Sequence, residues 1–277
     1  MGRIRIGTAG FSYKDWEGAV YPRPRPAGLD PLRYLAGFFD CIEMNTSFYR
    51  VPTAASVEKW TRTVEDRPDF RFTFKLYRGL THGDEDEALA PFLESLQPCR
   101  EAGRLGAILI QYPHFFKNTQ PNRARLSQLA DGLAGWPTSI EVRDRSWLIP
   151  AALEFLARLD LSICNIDICA TRDSVPPGSL VTGPIGYVRL HGRNAEAWFD
   201  RKAPVERKYD YLYSESELEE WVRHVREIAE QADSTYVITN NHFGGKAVAN
   251  AFQLARRLGI EAPEPPPHLV QRFPELR

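Results

Sequence analysis

Short apolar segments alternate with longer amphipathic segments along the entire chain. The short segments predict β-strands, and most of the longer ones predict helices. The predicted strands are Arg3–Gly7, Cys41–Asn45, Arg71–Lys75, Ala107–Gln111, Ser139–Arg143, Ile163–Asp167, Ile185–His191 and Thr235–Asn241. The predicted helices include Thr53–Val64, Glu85–Gly103, Arg123–Leu133, Ser214–Gln231 and Gly245–Leu258. After the sixth strand the helical pattern is missing or very short.

This alternation is typical of repeated βα units around a parallel sheet. Eight such strands could form an open doubly wound sheet, but their number and regular spacing favour closure into a (β/α)8 barrel. A chain of 277 residues suits one barrel, since single α/β barrels commonly reach about 250 residues. We therefore predict one TIM-barrel domain over residues 1–277, in which the Pro-rich segment 260–277 is a terminal extension.

Polar and apolar residues alternate within the strands. Ile42 and Met44 alternate with Glu43 and Asn45, and alternate side chains point to opposite faces of a strand. If the apolar set packs on the helices, the polar set converges at the carboxyl ends of the strands, where barrel enzymes keep their active sites. The polar set comprises Glu43, Asn45, Lys75, Gln111, Glu141, Arg143, Asp167, Arg189 and His191.

Three acids and three bases of this set are expected to meet in one mouth. Burying an ion costs several kcal/mol unless it is paired, so a purely structural role requires a reason to prefer charges over Leu or Val. One alternative is a ring of ion pairs that only caps the barrel core. We favour a catalytic role for Glu43, Glu141, His191 and Asp167. The other polar residues, Asn45, Lys75, Gln111, Arg143 and Arg189, are assigned to substrate binding.

Aromatic residues follow the ends of several predicted strands. We expect Tyr13, Trp16, Phe48, Tyr49 and Trp147 to contact the substrate, because aromatic faces suit sugars and nucleobases. A single aromatic residue of this kind more often anchors a loop, so the prediction depends on their clustering.

The loop after the eighth strand contains glycines at a helix start. Gly244, Gly245 and Lys246 would expose backbone N–H groups at the positive end of a helix, and Arg193 could add a second cation. We predict a phosphate site there, with Asn241 as a further substrate contact. A plain turn into the helix would use the same glycines. Separately, the connection between Arg189 and Tyr213 is long enough for a lid, although its mixed charges also suit a solvated surface.

Charge and cysteine content narrow the class of protein. The formal net charge is −1, which argues against binding nucleic acid by bulk charge alone. The longest aliphatic run, Ala107–Ile110, falls far short of a membrane span of about 20 residues. The amino-terminal pattern predicts a strand rather than a signal peptide, and the four cysteines lack C-x-x-C spacing. We therefore expect a cytoplasmic protein with reduced thiols and no membrane partner.

Several motifs in order along the chain resemble the YecE-like family known as DUF72. They include Gly7-Thr8-Ala9-Gly10-Phe11, Glu43-x-Asn45-x-Ser47-Phe48-Tyr49, Phe72-x-Phe74-Lys75, Gln111-x-Pro113, Glu141-x-Arg143, Arg189-x-His191-Gly192 and Asn240-Asn241. The resemblance implies a TIM barrel and no defined activity; a suggested likeness to metal-dependent endonuclease barrels makes nucleic acid a candidate ligand. Asp144 stands where the family usually carries His, and Tyr112 where it usually carries Leu.

Three functions remain open. The first is a hydrolase or isomerase that acts on a phosphate-bearing sugar or nucleotide, with Glu43 or Glu141 as general base and Arg and Lys side chains as anion ligands. The second is a non-catalytic module that binds single-stranded nucleic acid or a nucleotide. The third is a metal-dependent phosphodiesterase, although no H-x-x-x-H or H-x-H spacing brings two histidines together. No cofactor or resident metal is predicted.

Overall fold

The computed structural model describes residues 1–169, 171, 173–200 and 202–277. Its eight strands are parallel and form a closed barrel in chain order, with the last strand paired to the first. They are β1 (Arg3–Ala9), β2 (Cys41–Met44), β3 (Arg71–Lys75), β4 (Leu105–Gln111), β5 (Thr138–Glu141), β6 (Ser162–Ile168), β7 (Ile185–Gly192) and β8 (Ser234–Thr239). The predicted (β/α)8 barrel is therefore confirmed, and each predicted strand is present with its ends shifted by at most two residues.

Helices surround this barrel. In the described part of the chain they are α1 (Pro31–Ala36), α2 (Thr46–Tyr49), α3 (Ala54–Thr63), α4 (Arg78–His82), α5 (Leu89–Glu101), α6 (Gln120–Gly132), α7 (Pro150–Arg158), α8 (Ala195–Phe199), α9 (Glu215–Gln231), α10 (Lys246–Leu258) and α11 (Pro267–Arg272). The predicted helix at Glu85–Gly103 begins later, at Leu89, because Asp86–Ala88 forms a separate 3-10 turn. Between β6 and β7 the described residues contain no helix, as expected.

Local sequence signals explain where the two longest helices of the carboxyl-terminal half begin and end. Ser214 caps α9 and forms a reciprocal capping box with Glu217. Gly259 ends α10 in the left-handed conformation, with φ of +72°, which costs a glycine little. Both helices bury one apolar face against the barrel, including Trp221 of α9 and Phe252 of α10.

The barrel interior contains a small apolar cluster, separate from the larger core between strands and helices. Its members include Ala9, Cys41, Ala107, Leu109, Cys164, Ile166, Tyr187, Tyr236 and Ile238. Most strands therefore point the predicted polar set inward, above this cluster, while residues such as Ile42 and Phe74 pack outward. The floor of the mouth thus has an apolar layer beneath it.

The carboxyl-terminal segment packs against the barrel. Leu269 of α11 is buried, as are Phe273 and Leu276 beyond it, and Arg256 of α10 donates hydrogen bonds to the backbone carbonyls of the last two residues. Among the described residues, none of the helices has the length and apolar character that crossing a membrane would require.

Candidate active site

A buried ion cluster lies inside the barrel beneath its mouth. Arg189 of β7 donates from Nη2 to Glu43 Oε1 over 2.6 Å and from Nε to Glu43 Oε2 over 2.9 Å. Its third nitrogen, Nη1, donates to Glu141 Oε2. Tyr187 donates its hydroxyl hydrogen to Glu43 Oε2 over 2.9 Å. The planar guanidinium thereby joins β2, β5 and β7, and both carboxylates are satisfied within the protein.

A second set of contacts surrounds Glu141. Arg143 Nε donates to Glu141 Oε1 over 2.8 Å, and His191 Nε2 lies 3.4 Å from the same oxygen. The Asn240 amide donates to His191 Nδ1 over 2.8 Å. Burial alone would raise the pKa of Glu141, but Arg189, Arg143 and His191 hold it well below its usual range. Burial lowers the pKa of His191 to about 4, so at neutral pH this imidazole is uncharged.

The three predicted catalytic residues Glu43, Glu141 and His191 are therefore brought together, beneath the cavity rather than in its walls. Each is fully buried, and none lines the open cavity above. The residues two positions further along, Asn45 and Arg143, reach the cavity instead.

The cavity at the mouth has two lobes. The first lobe, about 370 Å³, lies beside the loops that follow β1, β2 and β8. The second lobe, about 400 Å³, lies beside the helix that follows β3. Both lobes share the same central residues, Tyr49, Lys75, Gln111, Arg143 and Tyr209. A ligand bound at the mouth would therefore meet these five side chains first.

The shared centre contains two cations, Arg143 and Lys75. Arg143 forms an ion pair with Glu141, whereas Lys75 has no carboxylate partner in the described chain. Within the described chain its ammonium makes no hydrogen bond or ion pair, and its Nζ lies 3.7 Å from the centroid of the Phe48 ring. Burial lowers the pKa of Lys75 to about 7, and the neighbouring charge of Arg189 acts in the same direction. This lysine is therefore close to half protonated at neutral pH.

Two polar atoms in the wall of the first lobe also lack partners. Asn45 Oδ1 and His242 Nδ1 are buried without a hydrogen bond to any described residue. The His242 ring stacks on Tyr13, with ring centroids 4.2 Å apart, and on Tyr209, with centroids 4.9 Å apart. Buried polar atoms normally find a partner, so these two leave hydrogen-bonding capacity unused behind the wall of the lobe, where neither atom has accessible surface of its own.

Sequence reasoning missed Tyr209 and Asn240 as residues that line the cavity, whereas His242 was expected at the mouth. For Tyr209 a signal existed, because it belongs to the long connection between Arg189 and Tyr213 that was considered as a lid. That connection does reach over the mouth, where Val205 and Glu206 also line the first lobe.

Asp167 does not join the mouth, so its predicted catalytic placement is wrong. On β6 the inward positions are occupied by Cys164 and Ile166, and Asp167 faces the helix layer. There it accepts hydrogen bonds from the indole N–H of Trp221 and from Arg193, whose Nε lies 2.8 Å from Oδ1. Strand alternation predicted that the apolar residues of every strand face outward. On β6 the apolar residues face inward instead.

Two of the five predicted aromatic contacts are also wrong. Trp16 and Trp147 are fully buried away from both lobes. The Trp16 indole donates to the carbonyl of His242 over 2.7 Å, and the Trp147 indole donates to the carbonyl of Phe116 over 2.8 Å. These tryptophans anchor loops, while Tyr13, Phe48 and Tyr49 do line the cavity.

Asn241 likewise points away from the mouth, because Tyr236 and Ile238 set the inward positions of β8 and the next inward residue is Asn240. The Asn241 amide donates to Asn250 Oδ1 over 2.7 Å, which ties the loop to α10.

The predicted phosphate site is filled by the protein itself. Gly244 and Gly245 have φ values of +64° and +88°, which explains glycine at both positions without a ligand. The Gly244 N–H donates to Asp15, and Lys246 forms an ion pair with Asp210. Arg193 is paired with Asp167 and Glu217, as described for the helix layer. These contacts favour the plain turn over the anion site.

A resident metal has no suitable ligand set in the part of the chain that the structure describes. No three His, Cys, Asp or Glu residues there are grouped to hold a metal ion. Glu43 and Glu141, the acids beneath the mouth, are bound to Arg189, and the acids that line the cavity, Glu206 and Glu85, belong to different lobes.

Comparisons with known proteins agree on one family. A model described as "Protein of unknown function DUF72" matches residues 5–273. The UPF0759 protein YunF of Bacillus subtilis is 30% identical over 276 residues, which cover 93% of this chain and 95% of that protein. A DUF72 family protein from Thermotoga maritima has a TM-score of 0.81 and 32% identity, covering 93% of this chain and 99% of that one. One from Enterococcus faecalis has a TM-score of 0.82 and 29% identity, covering 95% and 98%. The chain therefore belongs to the DUF72 family.

Proposed function

We propose that this protein is an enzyme whose substrate is a small phosphate-bearing molecule, a sugar phosphate or a nucleotide, bound at the mouth of the barrel. The observation that carries the proposal is the position of Lys75 and Arg143 at the centre of both lobes. The buried acids below them, Glu43 and Glu141, are already neutralised by guanidinium groups. At the shared centre of the two lobes a ligand thus meets cations and no carboxylate of the described chain.

Charge arithmetic at the cavity floor supports an anionic ligand. Glu43 and Glu141 carry two negative charges, which Arg143 and Arg189 balance. Protonated Lys75 then adds a positive charge with no carboxylate paired to it. Arg143 is 16% exposed, so part of its guanidinium remains open to the cavity, and this group suits the oxygens of a phosphate.

The walls suit a ring with polar substituents. Tyr13, Tyr49 and Tyr209 line the first lobe, and the unpartnered polar atoms of Asn45 and His242 lie buried behind its wall. Its volume of about 370 Å³ is within the usual size of small-ligand pockets. Under this proposal the substrate's ring stacks on tyrosine while its phosphate contacts the cations.

Glu43 and Glu141 act in this proposal as positioning residues. Direct general-base catalysis by either would require the substrate to reach a fully buried carboxylate already engaged by Arg189. Instead they orient Arg189 and Arg143. Lys75, with a pKa of about 7, is the cavity group suited to acid/base work at neutral pH.

Sulfate titration tests the anion site, because the charge of sulfate is constant over the range used. We expect wild-type affinity to fall about tenfold between about pH 6 and pH 8.5 as Lys75 loses its proton. Lys75→Arg should bind sulfate without this pH dependence, and Arg143→Gln should bind at least about tenfold more weakly. Calorimetry at constant ionic strength measures these affinities, and thermal unfolding checks that each variant folds.

Lys246→Met is the matched control, since Lys246 lies outside both lobes and is paired with Asp210. Unchanged binding in Arg143→Gln, or binding in Lys246→Met weakened as much as in Arg143→Gln, would contradict the proposed site. Turnover is then sought by phosphorus NMR with aldose phosphates, ketose phosphates and nucleotides. Binding of these compounds without turnover of any would contradict the enzymatic part of the proposal.

A second candidate function is binding of single-stranded nucleic acid. The observation in its favour is the continuity of the two lobes past Tyr49, which is 70% exposed and can stack on a base. In that case an oligothymidylate should bind with an affinity that decreases steeply with salt, and Tyr49→Ala should weaken binding by about tenfold. Fluorescence anisotropy measures both effects. Tighter binding of a mononucleotide than of the oligonucleotide would exclude this candidate.

A further inference from the structure

Lys75 is the sole lysine that lines either lobe among the described residues, and it lines both. It ends β3, and its side chain rises inward beside Gln111 and Arg143. No carboxylate oxygen of the described chain lies within ion-pair distance of its Nζ, although Glu43 and Glu141 are close enough to act on it through space. Their oxygens are directed at Arg189 instead.

This environment stabilises a neutral amine. The ammonium form is disfavoured by burial and by the guanidinium groups of Arg189 and Arg143. A lysine desolvated beside other cations is one recognised way to activate an amine as a nucleophile. The mouth also lies open to a ligand from two sides. A nucleophile needs both properties, a free electron pair and access to the substrate.

We propose that the Lys75 amine is a nucleophile that forms an imine with the carbonyl carbon of a phosphorylated aldehyde or ketone. The inference rests on the proposed function, because Arg143 would hold the phosphate while the carbonyl carbon reaches Nζ. Both side chains belong to the shared centre of the two lobes, so one bound substrate can contact both.

Imine formation at Lys75 requires no cofactor, because no atom changes its oxidation state and the only product released is water. The Nζ electron pair forms a bond to the carbonyl carbon, the C–O π pair moves to oxygen, and that oxygen takes a proton from solvent. The nitrogen loses one proton to solvent, which gives a neutral carbinolamine. Its hydroxyl group takes a second proton from solvent and leaves as water while the nitrogen electron pair forms the C=N bond, and the nitrogen then loses its remaining proton to solvent. When borohydride is added, its hydride reduces the imine carbon and Lys75 becomes a stable secondary amine.

The test uses D-glyceraldehyde 3-phosphate as probe and cyanoborohydride as trap, followed by peptide mapping by mass spectrometry. Exposed Lys59 of α3 serves as the internal reference. Near pH 7 we expect labelling of Lys75 to be on the order of a hundredfold faster than labelling of Lys59, because burial favours the neutral amine of Lys75. The labelling rate of Lys75 should level off above about pH 7, where most of its amine is already neutral.

Matched variants and a matched probe separate the possible results. Lys75→Arg should lose the fast adduct, and Lys59→Arg should retain it. Unphosphorylated D-glyceraldehyde should label Lys75 at least about tenfold more slowly than the phosphorylated probe, because it has no phosphate group for Arg143 to bind. Labelling of Lys75 no faster than that of Lys59, in protein that binds sulfate as expected, would overturn the inference and leave the proposed function intact. Equal labelling of Lys75 by both aldehydes in protein that fails to bind sulfate would support the reactive amine and overturn the phosphate site.

Discussion

Replacing Arg189 by Met is expected to lower the free energy of unfolding by about 4 kcal/mol. Arg189 is 1% exposed and forms ion pairs with Glu43 and Glu141, both fully buried. Its removal would leave two carboxylates in the barrel interior with their main counter-charge lost. Removing one partner of a buried ion pair destabilises a protein far more than the intact pair stabilises it, because the remaining charge is buried without compensation. Urea denaturation near pH 7 measures the difference.

The control is an exposed pair of the same chemistry. Arg62 and Glu58 of α3 form an ion pair one helical turn apart, with 71% and 50% of their side chains exposed. Arg62→Met should therefore cost less than about 0.5 kcal/mol. Adding Glu43→Gln and Glu141→Gln to Arg189→Met should recover part of the lost stability, because the buried charges are then removed. A loss below about 1 kcal/mol in the single variant would show that the cluster does not depend on Arg189.

Replacing Lys75 by Met is expected to stabilise the protein, and the gain should depend on pH. The pKa of Lys75 is about 7 in the folded chain and about 10.4 in the unfolded chain. Below about pH 7 both states are protonated and the folded state bears the full cost of the buried ammonium. As pH rises from about 7 towards 10.4, the unfolded state binds more protons than the folded state, so this cost decreases. The gain from Lys75→Met should therefore shrink by about 2 kcal/mol between about pH 6 and pH 9.

Lys59→Met, at an exposed position of α3, should change stability little and equally at both pH values. Chemical denaturation of the three proteins at each pH gives the comparison. A gain in Lys75→Met that is the same at both pH values would mean that the ammonium is not desolvated. Stabilisation on loss of a residue is a recurrent property of functional sites, where geometry is kept at the expense of stability.

A purely structural ring of charges would explain the buried cluster of Glu43, Glu141 and Arg189. It would not explain the residues that line the cavity above this cluster. Glu43, Glu141 and Arg189 satisfy one another without a ligand, so they fit that interpretation. Lys75 does not, because it has no ion-pair partner in the described chain and faces open space. The barrel therefore has a self-contained lower layer and an incomplete upper one.

Much of this arrangement was predictable from local patterns. The alternation of Ile42 and Met44 with Glu43 and Asn45 predicted which side of β2 faces inward, and the inward convergence of Lys75, Gln111 and Arg143 followed from the same rule. The rule failed on β6 because Asn165 and Asp167 there find partners outside the barrel. Asn165 bonds the backbone of Leu180, and Asp167 bonds Trp221 of α9. Those partners are distant in sequence.

The sequence by itself determined the number of strands, their closure into a barrel and the inward side of most of them, because strand periodicity and βα alternation are local properties. Only the tertiary structure decided how deep each polar side chain lies and which groups it contacts. Arg189 neutralises Glu43 and Glu141 beneath the cavity, and Asp15 and Asp210 bind the glycine loop and Lys246. Lys75 is left without a counter-charge in the described chain. These outcomes depend on which side chains from remote segments reach the same space. Pairing of charges across a barrel is a property of three-dimensional distance, which residue order along one strand does not contain.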